Sequence, residues 1–132
     1  MNSINFKKVQ LNPFYWYFYK GVQILKENKT SICERARSEA FFSKGMTPVL
    51  KNGHFVARKV TADFYKSAKL GDMLDIYTKL VTMKAASFTL SQEIYKENEK
   101  IFELEILLVY IDFDAKVQKL DNDSKELILS LF

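Results

Sequence analysis

The residues of this 132-residue chain that could do chemistry are few. Glu34 and Glu39 both lie in the stretch CERARSEAFF, where a carboxylate could serve as a general base. Each also has a structural reading. Glu34 stands three residues after Ser31, the spacing of a capping box, and Glu39 stands four after Arg35, the spacing of a helical ion pair. His54 is the lone histidine, a residue type suited to proton transfer near neutral pH. It follows Asn52-Gly53, however, and a solvent-exposed turn residue is expected there. Arg58 and Lys59 are adjacent cations that could meet an anionic ligand or simply end a strand in water. Asp63 and Asp72 read as strand and turn residues. The stretch FYWYFY, from Phe14 to Tyr19, adds three tyrosine hydroxyls at every second position.

Those residues must be held by ordered elements. Read by twos, Phe14, Trp16 and Phe18 fall on one side of a strand and Tyr15, Tyr17 and Tyr19 on the other. The apolar side suits a core, and the hydroxyl side suits water, a subunit contact or a ligand. A helix is expected over SICERARSEAFFSKG, with Ser31 as cap, Gly45 as left-handed stop and an earlier start within QILKENKT left open. Its apolar stripe, Ile32, Cys33, Ala36 and Ala40, is mostly small, so a sheet can approach closely.

Past Gly45 four segments rich in β-branched and aromatic residues follow: HFVARKVTADFY, DMLDIYTKLVTM, SFTLSQEIYK and KIFELEILLVYIDFD. Turn residues separate them, with Glu97-Asn98-Glu99 read as a hairpin. The chain closes on DSKELILSLF, where Asp123 and Glu126 have capping-box spacing before a short apolar helix. Strand, long helix, four strands and short helix make one α+β domain over 1–132, a helix against a mostly antiparallel sheet.

Composition narrows the partners. Hydrophobic residues are 48% and charged residues 27%, an ordinary globular balance. Cys33 is the sole cysteine, which excludes an internal disulfide and a multi-cysteine metal site and fits a reducing compartment. The net charge of +4 comes from lysines that alternate with acids, so no nucleic-acid surface is expected. No apolar run approaches the roughly 20 residues that span a bilayer, and no signal peptide is visible, so integral membrane association is not expected and a cytoplasmic place is.

With those elements assigned, CERARSEAFF, ARKVTADFYKSAKLGDMLDI, KAASFTLSQEIY and LVYIDFDAKVQKL closely resemble acyl-CoA thioesterases of the YbgC type, in the 4-hydroxybenzoyl-CoA thioesterase-like group. The likeness runs from about Ile32 to Leu120 and is most specific at ADFYKSAKLGDMLDI, with Ser67 where the family usually has proline. It implies a hotdog fold, in which a curved antiparallel sheet of about five strands wraps one long central helix. It also implies hydrolysis of an acyl-CoA thioester to free acid and coenzyme A, without metal or redox cofactor. Dimers or tetramers with sites between subunits are implied as well.

The same resemblance locates the chemistry, and there this chain departs. The family's catalytic Asp falls at Tyr19, its first Asp at Tyr17 and its histidine at Lys26, while Tyr15, Gly21 and Asn28 match. Backbone N–H groups at the helix start, here Ile24 and Leu25, are implied to hold the developing oxyanion. A tyrosine with an ordinary pKa near 10 is neutral at pH 7 and does not replace a carboxylate. Some hotdog thioesterases carry the acid on the central helix, which gives Glu39 and Glu34 a second reading as the relocated base. Arg58 and Lys59 become candidates for the coenzyme phosphates. The alternative is a non-catalytic hotdog protein that binds acyl-CoA or a protein partner.

Overall fold

The computed structural model describes residues 7–11, 28–68 and 72–132. In order these form β1 (Lys7–Leu11), α1 (Asn28–Phe42), β2 (Val49–Leu50), β3 (Gly53–Phe64), β4 (Leu74–Met83), β5 (Ser87–Lys96), β6 (Glu99–Ile111) and α2 (Asn122–Leu131). The strands make one antiparallel sheet in the order β1-β4-β5-β6-β3-β2. The four long segments expected after Gly45 are β3 to β6. The two-residue β2 was not foreseen, because so short an edge strand leaves no alternation to read. The expected strand at Phe14–Tyr19 lies outside the described residues.

The sheet has one dry face. Leu74, Ile76 and Thr78 of β4, Phe88, Leu90, Gln92 and Ile94 of β5, and Phe102, Leu104 and Ile106 of β6 recur by twos and are buried. Pairings such as Leu90↔Ile106 and Gln92↔Leu104 put them on one side. α1 lies on this face through Ile32, Cys33, Ala36, Ala40 and Phe41. Cys33 and Ala40 are fully buried. Their small side chains bring the helix backbone near the sheet, so the expected stripe is the observed one.

Both ends of the helices repay inspection. Gly45 takes φ +71°, Met46 N–H donates to Phe41 O at 3.0 Å and Gly45 N–H to Phe42 O at 2.9 Å, a Schellman stop. At the other end the capping-box reading is corrected. α1 already includes Asn28, so Ser31 lies inside the helix and Glu34 is not its capping partner. The C-terminal cap is likewise Asp121 rather than Asp123: its carboxylate accepts Ser124 N–H at 2.7 Å. Both errors have one cause, since acceptor-plus-three spacing recurs inside helices and the first qualifying residue is not marked by sequence alone.

Two turns fix the register of the long strands. Glu97 and Asn98 have φ 51° and 67° between paired Lys96 and Glu99, the left-handed pair that a two-residue hairpin demands. Gly53 instead answers to proximity. A Cβ there would stand 2.1 Å from Ile111 O of β6.

Among the described residues no helix is long and apolar enough to cross a membrane. Among the described residues β3 is paired along its length to β6 but on its other edge only to β2, at Gly53 and His54. Val56, Val60 and Phe64 on it are 37%, 47% and 38% exposed.

Candidate active site

Between α1 and the β3–β6 half of the sheet runs a groove in two lobes. One, of about 210 Å³, is walled by Phe41, Phe55, Phe88, Leu108 and Phe132. The other, of about 200 Å³, lies against Thr30, Val60, Leu104 and Ile106. Glu34, Arg37 and Ala57 line both. Two of the three come from one helix turn, because residues three apart share a helix face.

A bulge places Ala57 there. β3 pairs Ala57 with Leu108 and Lys59 with Leu107, so Arg58 is an extra residue without an opposite number. Ala57 and Val60 therefore both face the groove although they stand three positions apart. Lys59 is opposite Leu107 on the far face of the sheet. Arg58 and Lys59 are both exposed.

The polar part of the groove is anchored from beneath. Gln92, fully buried on β5, accepts from Arg37 Nη1 at 2.7 Å and donates from Nε2 to Cys33 O at 3.0 Å and to Thr78 Oγ1 at 2.9 Å. One amide thus joins two strands to the helix and leaves no polar atom of its own without a partner. Burial pulls the Arg37 guanidinium below its usual range, an effect the charge of Glu34 partly opposes. Burial pushes the Cys33 thiol up to about 12, with Arg37 working weakly against it. Cys33 is accordingly an inert core residue rather than a nucleophile.

Of the residues singled out by type and spacing, the groove gathers Glu34 alone. Glu39 pairs with Arg35 at 2.9 Å, as its spacing predicts, and is not in the lining. His54 stacks on Phe113, with ring centroids 6.0 Å apart, at the β2 end of β3. Asp63 stands opposite Glu103 on the far face, and Asp72 pairs with Lys96 at 3.0 Å. Tyr19, Ile24 and Leu25 lie outside the described residues. Arg37 and Gln92 were missed. Their signals were present: Gln92 interrupts the alternating apolar series Phe88, Leu90, Ile94, and Arg37 stands one turn from both Cys33 and Phe41.

A helix laid on the dry face of a six-stranded antiparallel sheet, with a groove along the seam, defines a hotdog domain. Solved structures share this architecture. A 1,4-dihydroxy-2-naphthoyl-CoA thioesterase from Synechocystis superposes with a TM-score of 0.78 at 14% identity, covering 96% of this chain and 98% of that one. A thioesterase from Thermus thermophilus, complexed with coenzyme A and Zn, superposes at 0.73 with 18% identity, covering 99% and 97%. The family model of the thioesterase superfamily matches residues 29–103, and the chain belongs to that family.

Curated relatives match part of the chain. The acyl-CoA thioesterase YbgC of Helicobacter pylori is 43% identical over 68 residues, which is 52% of this chain and 51% of that protein. The acyl-CoA thioester hydrolase YbgC of Escherichia coli is 34% identical over 86 residues, 55% of this chain and 64% of that protein. The chain thus spans about half to two thirds of the length of these relatives.

Proposed function

We propose that the protein hydrolyses acyl-CoA thioesters to a free acid and coenzyme A. The observation that carries this reading is the groove: an apolar cleft beside a helix, with a carboxylate on its rim, in a member of the thioesterase superfamily. Relatives named as acyl-CoA hydrolases and the coenzyme A complex of a structural neighbour support it.

In this reading Glu34 is the base. It lines both lobes and is exposed to incoming water, whereas Glu39 is engaged by Arg35. Glu34 takes a proton from water, the water oxygen bonds to the thioester carbon, and the tetrahedral adduct collapses with loss of the C–S bond. The proton ends on the departing thiolate. Backbone N–H groups of Ile24 and Leu25 fill the oxyanion role that the family resemblance implies, and Arg58 and Lys59 meet coenzyme phosphates from their exposed place on β3. Tyr19, at the family's aspartate position, supplies no carboxylate.

The free edge of β3, with Val56, Val60 and Phe64 exposed, suits pairing with a second copy into a dimer or tetramer. A cytoplasmic place of action follows from the coenzyme and from a single unbridged cysteine.

Release of free thiol from a panel of acyl-CoAs tests the reading. Glu34→Gln lowers turnover by about 10²–10⁴-fold, the worth of a general base, and Glu39→Gln changes it several-fold at most. Tight acyl-CoA binding with no turnover overturns it in favour of the non-catalytic alternative, which the loss of the aspartate at Tyr19 recommends.

A further inference from the structure

The apolar groove contains one charge that its family role does not require. Arg37 projects from the middle of α1 to the junction of the two lobes, among Leu90, Leu108, Leu104 and Ile106. Its guanidinium carries five N–H donors, of which one is committed among the described residues, from Nη1 to the neutral Oε1 of Gln92. Among the described residues no carboxylate comes within 4.0 Å of it. Glu34 contributes opposite charge, and being exposed it is screened by water.

A half-buried cation bonded, among the described residues, only to a neutral amide gains little to offset its partial desolvation. Core packing does not call for it either. Gln92 already ties α1 to the sheet through Cys33 O and Thr78, so the helix is docked without Arg37. What the guanidinium adds is a fork of donors in a largely apolar cleft whose other polar lining comes from Thr30, Glu34 and Ser38.

We propose that Arg37 is an anion receptor within the acyl groove, and that the preferred substrates are short acyl-CoAs whose acyl group ends in a second carboxylate. This assignment rests on the thioesterase reading for the identity of the ligand. The methylene segment of such a diacid lies against the apolar wall, and its terminal carboxylate accepts from the guanidinium donors left by Gln92. Space is adequate, since an apolar cavity of roughly 150 Å³ holds a benzene ring and each lobe exceeds that at about 200–210 Å³. Longer unbranched acyl chains must pass the cation and are disfavoured.

An anionic oxygen could also come from a coenzyme phosphate, so the test separates the two. Glutaryl-CoA is compared with its terminal carboxamide analogue, which has the same length and no charge, and both are repeated as pantetheine thioesters that lack the nucleotide phosphates. The wild-type protein is expected to favour the carboxylate by roughly 10–100-fold in kcat/KM, the range of a hydrogen bond to a charged group. The ratio should survive on pantetheine and collapse in a folded Arg37→Gln variant. A wild-type ratio near one overturns the receptor while turnover of either thioester sustains the hydrolase. A preference lost on pantetheine, or kept in folded Arg37→Gln, overturns it too. If neither thioester is hydrolysed, the hydrolase reading falls, and calorimetric affinities of the same pair apply the same criterion to Arg37. The wild-type comparison needs no variant, so misfolding of Arg37→Gln does not shelter the proposal.

Discussion

Replacing Gln92 by leucine separates the buried network from the groove above it. The side chains are of similar size, so little cavity is left, and the loss is that of three hydrogen bonds. The bond from Arg37 is charge-assisted, worth about 1.5–3 kcal/mol, and those to Cys33 O and Thr78 about 1 kcal/mol each. Arg37 recovers part of the first by turning to water in the groove. Thr78 recovers little, because it is fully buried and keeps an oxygen that nothing then approaches. A net destabilisation of about 3 kcal/mol is expected in urea, with the slope unchanged. Adding Thr78→Val removes the stranded hydroxyl and should restore about 1 kcal/mol, since deleting both partners costs less than deleting one. A single-variant loss below about 1 kcal/mol, or a double variant less stable than Gln92→Leu, would refute the idea that this amide clamps helix to sheet.

Other consequences can be measured directly. Cys33 has a folded pKa near 12 against an ordinary 9.0, so the unfolded chain ionises first as pH rises. Stability from this group is full below pH 9 and is lost progressively towards pH 12, and Cys33→Ala should flatten that alkaline decline in denaturation curves. The native thiol should react with a disulfide reagent only as fast as the protein opens. Gly53→Ala places a methyl 2.1 Å from Ile111 O and 2.9 Å from Gln118 Nε2, so the melting temperature should fall by the equivalent of about 1–3 kcal/mol. A substitution that leaves it unchanged would show that β2 and the β3 start move aside freely. Asp121→Ala loses the cap on Ser124 N–H and should cost about 0.5–2 kcal/mol, recovered by Asp121→Asn.

What the sequence disclosed and what it hid follow one physical rule. Period-two burial placed β3 to β6 within a few residues, and the small stripe at Ile32, Cys33, Ala36 and Ala40 named the face of α1 that meets the sheet. Those features are local and repeated. The caps were misread because a capping acceptor looks the same inside a helix as before it: Ser31 lies within α1, which includes Asn28 in the stretch left open for an earlier start, and Asp121 rather than Asp123 caps α2. The groove was hidden for a different reason. Glu34, Arg37, Ala57 and Gln92 meet only when α1 is laid across β3 and β5, and spacing along the chain carries no trace of that crossing. Ala57 and Val60 sharing one wall was illegible altogether, since a strand without a bulge would have put them on opposite faces.

That bulge also says where the gene can change length. Losing the codon for Arg58 would leave Ala57 opposite Leu108 and Lys59 opposite Leu107, joined without interruption, so inner residues stay inner and outer residues outer. The same deletion at Thr61 or Ala62 would turn part of β3 inside out and present cations or carboxylates to the helix. β4 has a second such point between Leu80 and Thr82. Single-codon loss should thus be survivable at Arg58 and Val81 and nowhere else along these two strands.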